Sequence, residues 1–382
     1  MRRFTVLLCF VVLSVLGFPS VLEALAPVPE LSSIAYVLYD GDYDYLIASK
    51  NAEQKRSIAS LTKIMTLLCA IDLVERGELK LDATITASAK AASRDGTQIR
   101  LSAGDRFTLE ELLYATALVS ANDAAVALAE YVAGSEAQFC RLMNEKAKQL
   151  GLEDTNYVDC TGLLSIFSNN YSTALDQARL LQIALGSDLF RRIISTAEYD
   201  LKAQGRKIVN THPLLGQSGV EGGKTGATTP AGHTLATSVL HQERRLISVI
   251  LGARSRDVRN QEASLLHEWA QENLVGLISK EQILTPVLVP DGVEHEINGV
   301  LAADFSIVAV QESDLDFKTK VKLLPGLRAP VERGDKVGEL IVYRENREFT
   351  RLDIVARQGT GLASWLRRVF NLFIHFFKKL GR

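Results

Sequence analysis

Cysteine is scarce in this chain, and the little there is falls into no metal or redox pattern. The four cysteines are Cys9, Cys69, Cys140 and Cys160, and no C-x-x-C pair, H-E-x-x-H or other metal-ligand spacing occurs. No Gly-rich phosphate loop is present either, so the expected chemistry uses no metal and no cofactor. An excess of one charge is also lacking. Lys+Arg total 43 against 45 Asp+Glu, for a formal net charge of -2, and nothing global draws nucleic acid. What remains is ordinary globular material, 47% hydrophobic and 23% charged over 382 residues. That is enough for two domains and a short appendage.

The first residues are not part of a fold. Arg2 and Arg3 form a charged start, Val6 to Phe18 an apolar stretch, and Ala24-Leu25-Ala26 a small-x-small cleavage pattern. This is the layout of a secretory signal peptide, assigned to residues 1–26, although Pro27 directly after the cut is unfavourable. The apolar stretch is short for a membrane span. Cys9 leaves with the signal, and three cysteines remain. Cys69 lies in an apolar helix and reads as an inert core residue. A Cys140–Cys160 disulfide is compatible with export and stays open. Cys160 has no helpful His or Asn pattern around it as a nucleophile.

The chain is organised around Ser60-Leu61-Thr62-Lys63, an S-x-x-K tetrad. Residues three apart share a helix face, so the Lys63 amine can hang beside the Ser60 hydroxyl. Serine is a poor nucleophile until a base takes its proton, and a desolvated lysine among other cations can be that base. Ile64, Met65, Leu67, Leu68, Ala70, Ile71, Leu73 and Val74 make the following helix apolar nearly all round, as in a core. Alone the tetrad is weak evidence. A plain helix start, with Ser57 or Ser60 as N-cap and Lys63 in water, fits it as well. Two further motifs change the balance: Ser120-Ala121-Asn122 and Lys224-Thr225-Gly226, in that order.

Read in order, Ser33 to Leu38 and Tyr43 to Ala48 form a hairpin around Asp40-Gly41-Asp42. The nucleophile helix stops near Arg76-Gly77. Thr108-Leu109-Glu110-Glu111 is a capping box for a helix running to Ser120. Asp123 to Val132 starts another, so the S-x-N lies in a short connection between helices. Helices are also expected over Glu136 to Leu150, Ser172 to Leu185, Asp188 to Ser195 and Val258 to Leu274. Ile208 to Leu215, Lys224, Leu235 to Leu240 and Leu246 to Leu251 read as strands. Helices flanked by strands from both chain ends predict an α+β domain with an antiparallel sheet, residues 27–277. From 278 to 358, short strands at Leu284 to Val289, Ile307 to Val310, Val321 to Leu323 and Glu339 to Tyr343 predict a small all-β domain. Residues 359–382 predict an amphipathic helix. Arg367, Arg368, Asn371, His375, Lys378, Lys379 and Arg382 line one stripe, and Trp365 to Leu380 supply an aromatic remainder suited to a membrane surface. An amphipathic helix packed on the protein is the plainer alternative.

With these motifs in place, the chain resembles the serine-type D-alanyl-D-alanine carboxypeptidases, the low-molecular-mass penicillin-binding proteins. The likeness runs through Arg56 to Thr66, Ser120 to Ala125 and Gly223 to Gly226. It continues through Asp159-Cys160-Thr161-Gly162-Leu163, Asn170 to Ala174 and Ala329 to Gly338. Two departures stand out. Ala227 follows the K-T-G where some relatives carry histidine, and Asn210-Thr211-His212-Pro213-Leu214-Leu215 replaces a more asparagine-rich stretch.

The resemblance implies a penicillin-binding, β-lactamase-like catalytic fold and a set of roles. Ser60 attacks the carbonyl between the terminal D-alanines of a peptidoglycan stem peptide, and Lys63 takes its proton. The amides of Ser60 and Ala227 form the oxyanion hole. Ser120 relays a proton to the leaving amine, and Asn122 orients Lys63 and the substrate. Lys224 supplies positive potential and helps to depress Lys63. Thr225 bonds the substrate carboxylate, while Gly226 lets the substrate backbone approach. A β-lactam antibiotic would acylate Ser60. Rival readings are a β-lactamase, for which Glu153-Asp154-Thr155-Asn156 is a faint echo of a deacylating loop, a D,D-endopeptidase or transpeptidase, and a non-catalytic wall-binding scaffold.

Overall fold

A computed structural model describes residues 25–163, 170–217 and 219–371. Residues 1–24 of the expected signal segment and residues 372–382 of the expected terminal helix lie outside the described residues. Val28–Glu272 forms one compact unit, and the described residues from Asn273 onward belong to a second.

The first unit opens on a hairpin of β1 (Ala35–Asp40) and β2 (Tyr45–Lys50). Asp40 sets its turn, its Oδ1 accepting from the amides of Asp42 and Tyr43 at 3.0 Å each. A short β3 (Arg56–Ser57) and a 3-10 turn (Ala59–Leu61) lead into α1 (Thr62–Glu75). The first ten residues of α1, Thr62 to Ile71, are all buried, as an all-round apolar helix requires. Next come β4 (Thr84–Thr86), α2 (Ala89–Ala92) and β5 (Arg106–Thr108), a small ladder and helix that the sequence reading missed. Their runs are too short for periodicity to register.

The capping box forms as expected at the head of α3 (Leu109–Leu118): Thr108 Oγ1 accepts from Glu111 N, and Glu111 Oε2 accepts from Thr108 N. Helix α4 (Asn122–Ala133) ends on Gly134 in the left-handed region, and α5 (Glu136–Gln149) follows. Strand β6 (Tyr171–Ser172) pairs with β3. Thr173 and Ser187 cap α6 (Ala174–Ala184) and α7 (Asp188–Ser195). A hairpin of β7 (Glu198–Leu201) and β8 (Arg206–Val209) comes next. The strand expected over Ile208 to Leu215 therefore stops at Val209. Pro213 has no N–H to give a ladder, and the segment turns instead.

β9 (Val220–Thr228), β10 (Gly232–His241) and β11 (Arg244–Ala253) complete an antiparallel sheet of order β2-β1-β11-β10-β9. α8 (Arg256–Glu272) packs on β10 and β11, and α6 on β1 and β11. Residues of both parities in β1 and β11 are buried, so helices cover both faces. The core lies between the sheet and α1, α3, α4 and α6. Strand β9 is left at the edge, where it can be reached.

The second unit is all-β where it is described, apart from one short 3-10 turn and the helical residues 365–371. Strands β13 (Thr285–Leu288), β14 (Glu296–Leu301), β16 (Lys318–Leu323), β17 (Lys336–Arg344) and β18 (Arg347–Ala356) form a sheet of order β13-β14-β18-β17-β16. β12 (Leu274–Ile278) and β15 (Phe305–Val308) form a separate pair. Phe305, Phe317 and Phe349 meet in its core, with centroids 5.5 and 5.3 Å apart.

Candidate active site

Ser60 sits in the 3-10 turn that winds directly into α1, so helical spacing carries Lys63 back beneath it. Lys63 is completely buried, and its Nζ donates to three oxygens. These are Ser60 Oγ at 3.0 Å, Asn122 Oδ1 at 2.7 Å and the Thr161 carbonyl at 2.8 Å. The geometry decides where a neutral amine puts its lone pair. Asn122 Oδ1 and the Thr161 carbonyl can only accept, so they keep the two remaining N–H bonds, and the lone pair faces the Ser60 hydroxyl.

Burial pushes the Lys63 ammonium down to about 7. The Cys160 and Asp159 side chains oppose this, and the Arg94 charge adds to it. The expected share of Lys224 in depressing Lys63 is not among these causes; desolvation outweighs it. The influence is visible in the other direction, for Lys224 lies well below its ordinary value through burial first and the Lys63 charge second.

Asn122 is the first residue of α4. Its Nδ2 donates to the Asp95 carbonyl at 2.7 Å, which fixes Oδ1 toward Lys63. A side chain on Gly96 would begin 2.5 Å from that Nδ2, so only glycine leaves room there. Ser120, in the connection between α3 and α4, has a φ of 59, which is uncommon for a residue with a Cβ. Its Oγ is buried with no hydrogen-bond partner among the described residues. Ala59, beside Ser60, also lies in the left-handed region.

Lys224, Thr225, Gly226 and Ala227 lie on the edge strand β9, with Gly226 opposite Thr234 and Ala227 opposite His233. A Cβ on Gly226 would stand 2.8 Å from the Ser60 amide and 2.6 Å from Thr234 Oγ1. The missing side chain is what lets the strand pass this close to Ser60. Lys224 is buried and donates to the Thr225 carbonyl at 3.1 Å. A cleft of about 570 Å³ opens beside Ala227, lined by Arg56, Thr228, Thr229, His233 and Arg254 among others.

Residues to which the sequence reading gave no role hold the site from behind, three of them in the Asp159 to Leu163 segment that carries part of the resemblance. Asp159 Oδ1 accepts from the Thr161 and Gly162 amides at 2.7 Å each, and this aims the Thr161 carbonyl at Lys63. A side chain on Gly162, at φ +77, would overlap the Ala59 carbonyl. Arg94 pairs with Glu136 at 3.0 Å and with Asp159 at 3.5 Å. The likeness of the Asp159 to Leu163 segment to the family was the signal available, and it assigned these residues no role. The Thr161 contact is a backbone contact, and the Arg94 pairs join elements distant in sequence.

Cys69, Cys140 and Cys160 are buried free thiols, so the open question of a Cys140–Cys160 bond is answered by two unbonded cysteines. Burial raises the Cys160 thiol well above its ordinary value, the opposite of an activated nucleophile. Glu153 is exposed and Asp154 pairs with Lys55 at 2.9 Å. Among the described residues no group of three or more His, Cys, Asp or Glu is placed to hold a metal ion.

Residues 23–255 match the family model for D-alanyl-D-alanine carboxypeptidase, and residues 273–359 match that for the penicillin-binding protein 5 C-terminal domain. The chain is 31% identical over 350 residues to the D-alanyl-D-alanine carboxypeptidase DacF of Bacillus subtilis (strain 168), covering 89% of this chain and 90% of the relative. Its fold is similar to penicillin-binding protein 6B from Escherichia coli, with a TM-score of 0.65 and 28% identity, covering 87% of this chain and 97% of that one. Penicillin-binding protein D2 from Listeria monocytogenes in its ampicillin-bound form gives 0.56 at 27% identity, covering 63% of this chain and 99% of that one.

Proposed function

The chain belongs to the D-alanyl-D-alanine carboxypeptidase family, and from that membership we propose that Ser60 is the nucleophile with which it removes the terminal D-alanine from peptidoglycan stem peptides. One observation carries the reading: a fully buried lysine, poised near neutrality, whose only free lone-pair direction is toward the Ser60 hydroxyl.

Ser60 Oγ attacks the carbonyl carbon between the two D-alanines, and its proton passes to Lys63 Nζ. The oxyanion is received by the amides of Ser60 and Ala227, which the absent Gly226 side chain allows to converge. Asn122 holds Lys63 and accepts or donates toward the substrate amide. The unpartnered Ser120 Oγ carries a proton to the leaving amine as the C–N bond breaks. Lys224 and Thr225 take the substrate carboxylate. D-Alanine departs, and water hydrolyses the ester on Ser60. A β-lactam antibiotic enters by the same attack and stays bound as the acyl-enzyme. The catalytic assignment falls to residues 27–277, with 278–358 as a β-domain.

The test is mass spectrometry after incubation with a labelled penicillin. The adduct is expected on the Ser60 peptide, and D-alanine release should vanish in Ser60→Ala. An adduct elsewhere, or D-alanine release by Ser60→Ala, refutes the assignment.

Export and attachment to the outer face of the cytoplasmic membrane belong to the same proposal. Among the described residues no helix is long and apolar enough to cross a membrane. Within the helical residues 365–371, Trp365, Leu366, Val369 and Phe370 are exposed, 71% in the case of Trp365. Asn371 instead turns inward and donates to the carbonyls of Pro290 and Gly292. An aromatic face turned to water beside Arg367 and Arg368 suits an anionic lipid surface. Trp365→Ser with Phe370→Ser should abolish co-sedimentation with anionic vesicles; retained sedimentation would count against the anchor.

A further inference from the structure

Strand β9 is the outer strand of its sheet, and no other strand takes its far edge, so an extended peptide can pair along it. The proposed reaction fixes how such a peptide would run. Its terminal carboxylate goes to Lys224 and Thr225, and its scissile carbonyl to the Ala227 amide. The residues before the scissile bond then continue past Ala227, antiparallel to β9, at about 3.3 Å per residue. That direction leads into the cleft of about 570 Å³ bordered by Ala227, Thr228 and Thr229. Ala227 is small and exposed, which leaves the entrance open.

The walls of this cleft are basic. Arg56 lines it from β3, and Arg254 from the connection between β11 and α8. Among the described residues that line it, none is Asp or Glu. Neither arginine forms an ion pair among the described residues, and the buried Arg56 Nε has no hydrogen-bond partner among them. Other arginines of the unit are paired: Arg244 with Asp40, Arg245 with Glu221 and Arg94 with Glu136. Two unpaired guanidiniums on one cleft are a poor choice for packing alone. His233 is the third basic group of the lining. Burial and then the Arg259 and Arg256 charges hold its imidazolium below the ordinary value, so the ring adds no charge at pH 7. The positive surplus therefore belongs to the two arginines, whose planar forks match a carboxylate.

We propose that this cleft is the subsite for the stem-peptide residue that precedes D-Ala-D-Ala, and that Arg56 and Arg254 select a free carboxylate on that residue's side chain. The inference rests on the carboxypeptidase reading and narrows its substrate class to stem peptides that are acidic at that position. The substrate then supplies the negative charge that the lining lacks.

The experiment measures D-alanine release from two tripeptides, acetyl-α-aminoadipyl-D-Ala-D-Ala and its side-chain carboxamide. Wild type should favour the carboxylate by about tenfold in kcat/KM, chiefly through KM, because the contact is made before the chemistry. Arg254→Gln should cut the preference to about threefold, and Arg254→Glu should invert it. Arg254 is exposed, so both variants change charge without disturbing the core. Arg56→Gln should also cut the preference, with labelling of Ser60 by penicillin reporting that each variant is folded. Equal kcat/KM for the two peptides in wild type overturns the inference, as does a preference that survives Arg254→Glu. A wild type that labels at Ser60 and hydrolyses both peptides alike loses only the subsite. One that never labels loses the carboxypeptidase reading and the subsite with it.

Discussion

Titration of Lys63 should govern the acid limb of Ser60 acylation. With its ammonium held at about 7, about a tenth of the enzyme carries a neutral Lys63 at pH 6, about half at pH 7 and about nine tenths at pH 8. The second-order rate of penicillin acylation should therefore climb nearly tenfold per unit below pH 6.5 and level off above pH 8. Stopped-flow or quenched labelling with a reporter penicillin reads this directly. Lys63→Arg keeps a permanent charge and should be slower by about a thousandfold at every pH. The same displacement is a stability statement. The folded value lies below the ordinary 10.5, so the unfolded chain binds the extra proton between those limits and stability rises with pH across that window. Below pH 7 the burial penalty is present in full, with an upper bound of roughly 5 kcal/mol. By pH 10.5 it has nearly gone. Lys63→Met should accordingly melt several degrees above wild type at pH 6, and the gap should close as the pH approaches 10. A flat acylation profile from pH 5.5 to 8.5, or an inflection above pH 9, would refute the reasoning.

Two further outcomes follow from packing around Ser60 and Lys63. Gly226→Ala places a Cβ against the Ser60 amide and Thr234 Oγ1, and should slow penicillin acylation at least about tenfold while leaving most of the protein folded; unchanged labelling would contradict the close approach. Arg94→Ala removes one of the two cations paired with the buried Glu136 and frees Asp159, and should cost about 1 to 2 kcal/mol in denaturant titration, because Lys90 remains on Glu136 at 2.8 Å. A midpoint unchanged within error would show that these ion pairs contribute nothing net.

Much of the architecture was legible because local signals and burial agreed. The all-round apolar pattern after Lys63 could only be a core helix, and the Thr108–Glu111 box marked its helix start correctly. The reading faltered where a pattern was too short or was overruled. The β4–β5 ladder offers three residues a strand, and the run from Ile208 looked like a strand until Pro213 and the Asn210 contacts turned it. The thiols show a third kind of limit. Spacing left Cys140 and Cys160 open to pairing, and only coordinates show both buried and free.

From the order of residues alone came the α+β class, the β-rich second unit and the neighbourhood of Ser60 and Lys63, because each depends on periodicity within one element. Asn122, 59 residues from Lys63, was expected beside it from the resemblance alone, whereas Thr161, 98 residues away, had to await the folded chain, because it contributes a carbonyl that every residue type possesses. The basicity of Lys63 was likewise settled in three dimensions, since a pKa responds to the water removed and the charges brought near, and neither is written in a one-dimensional spacing.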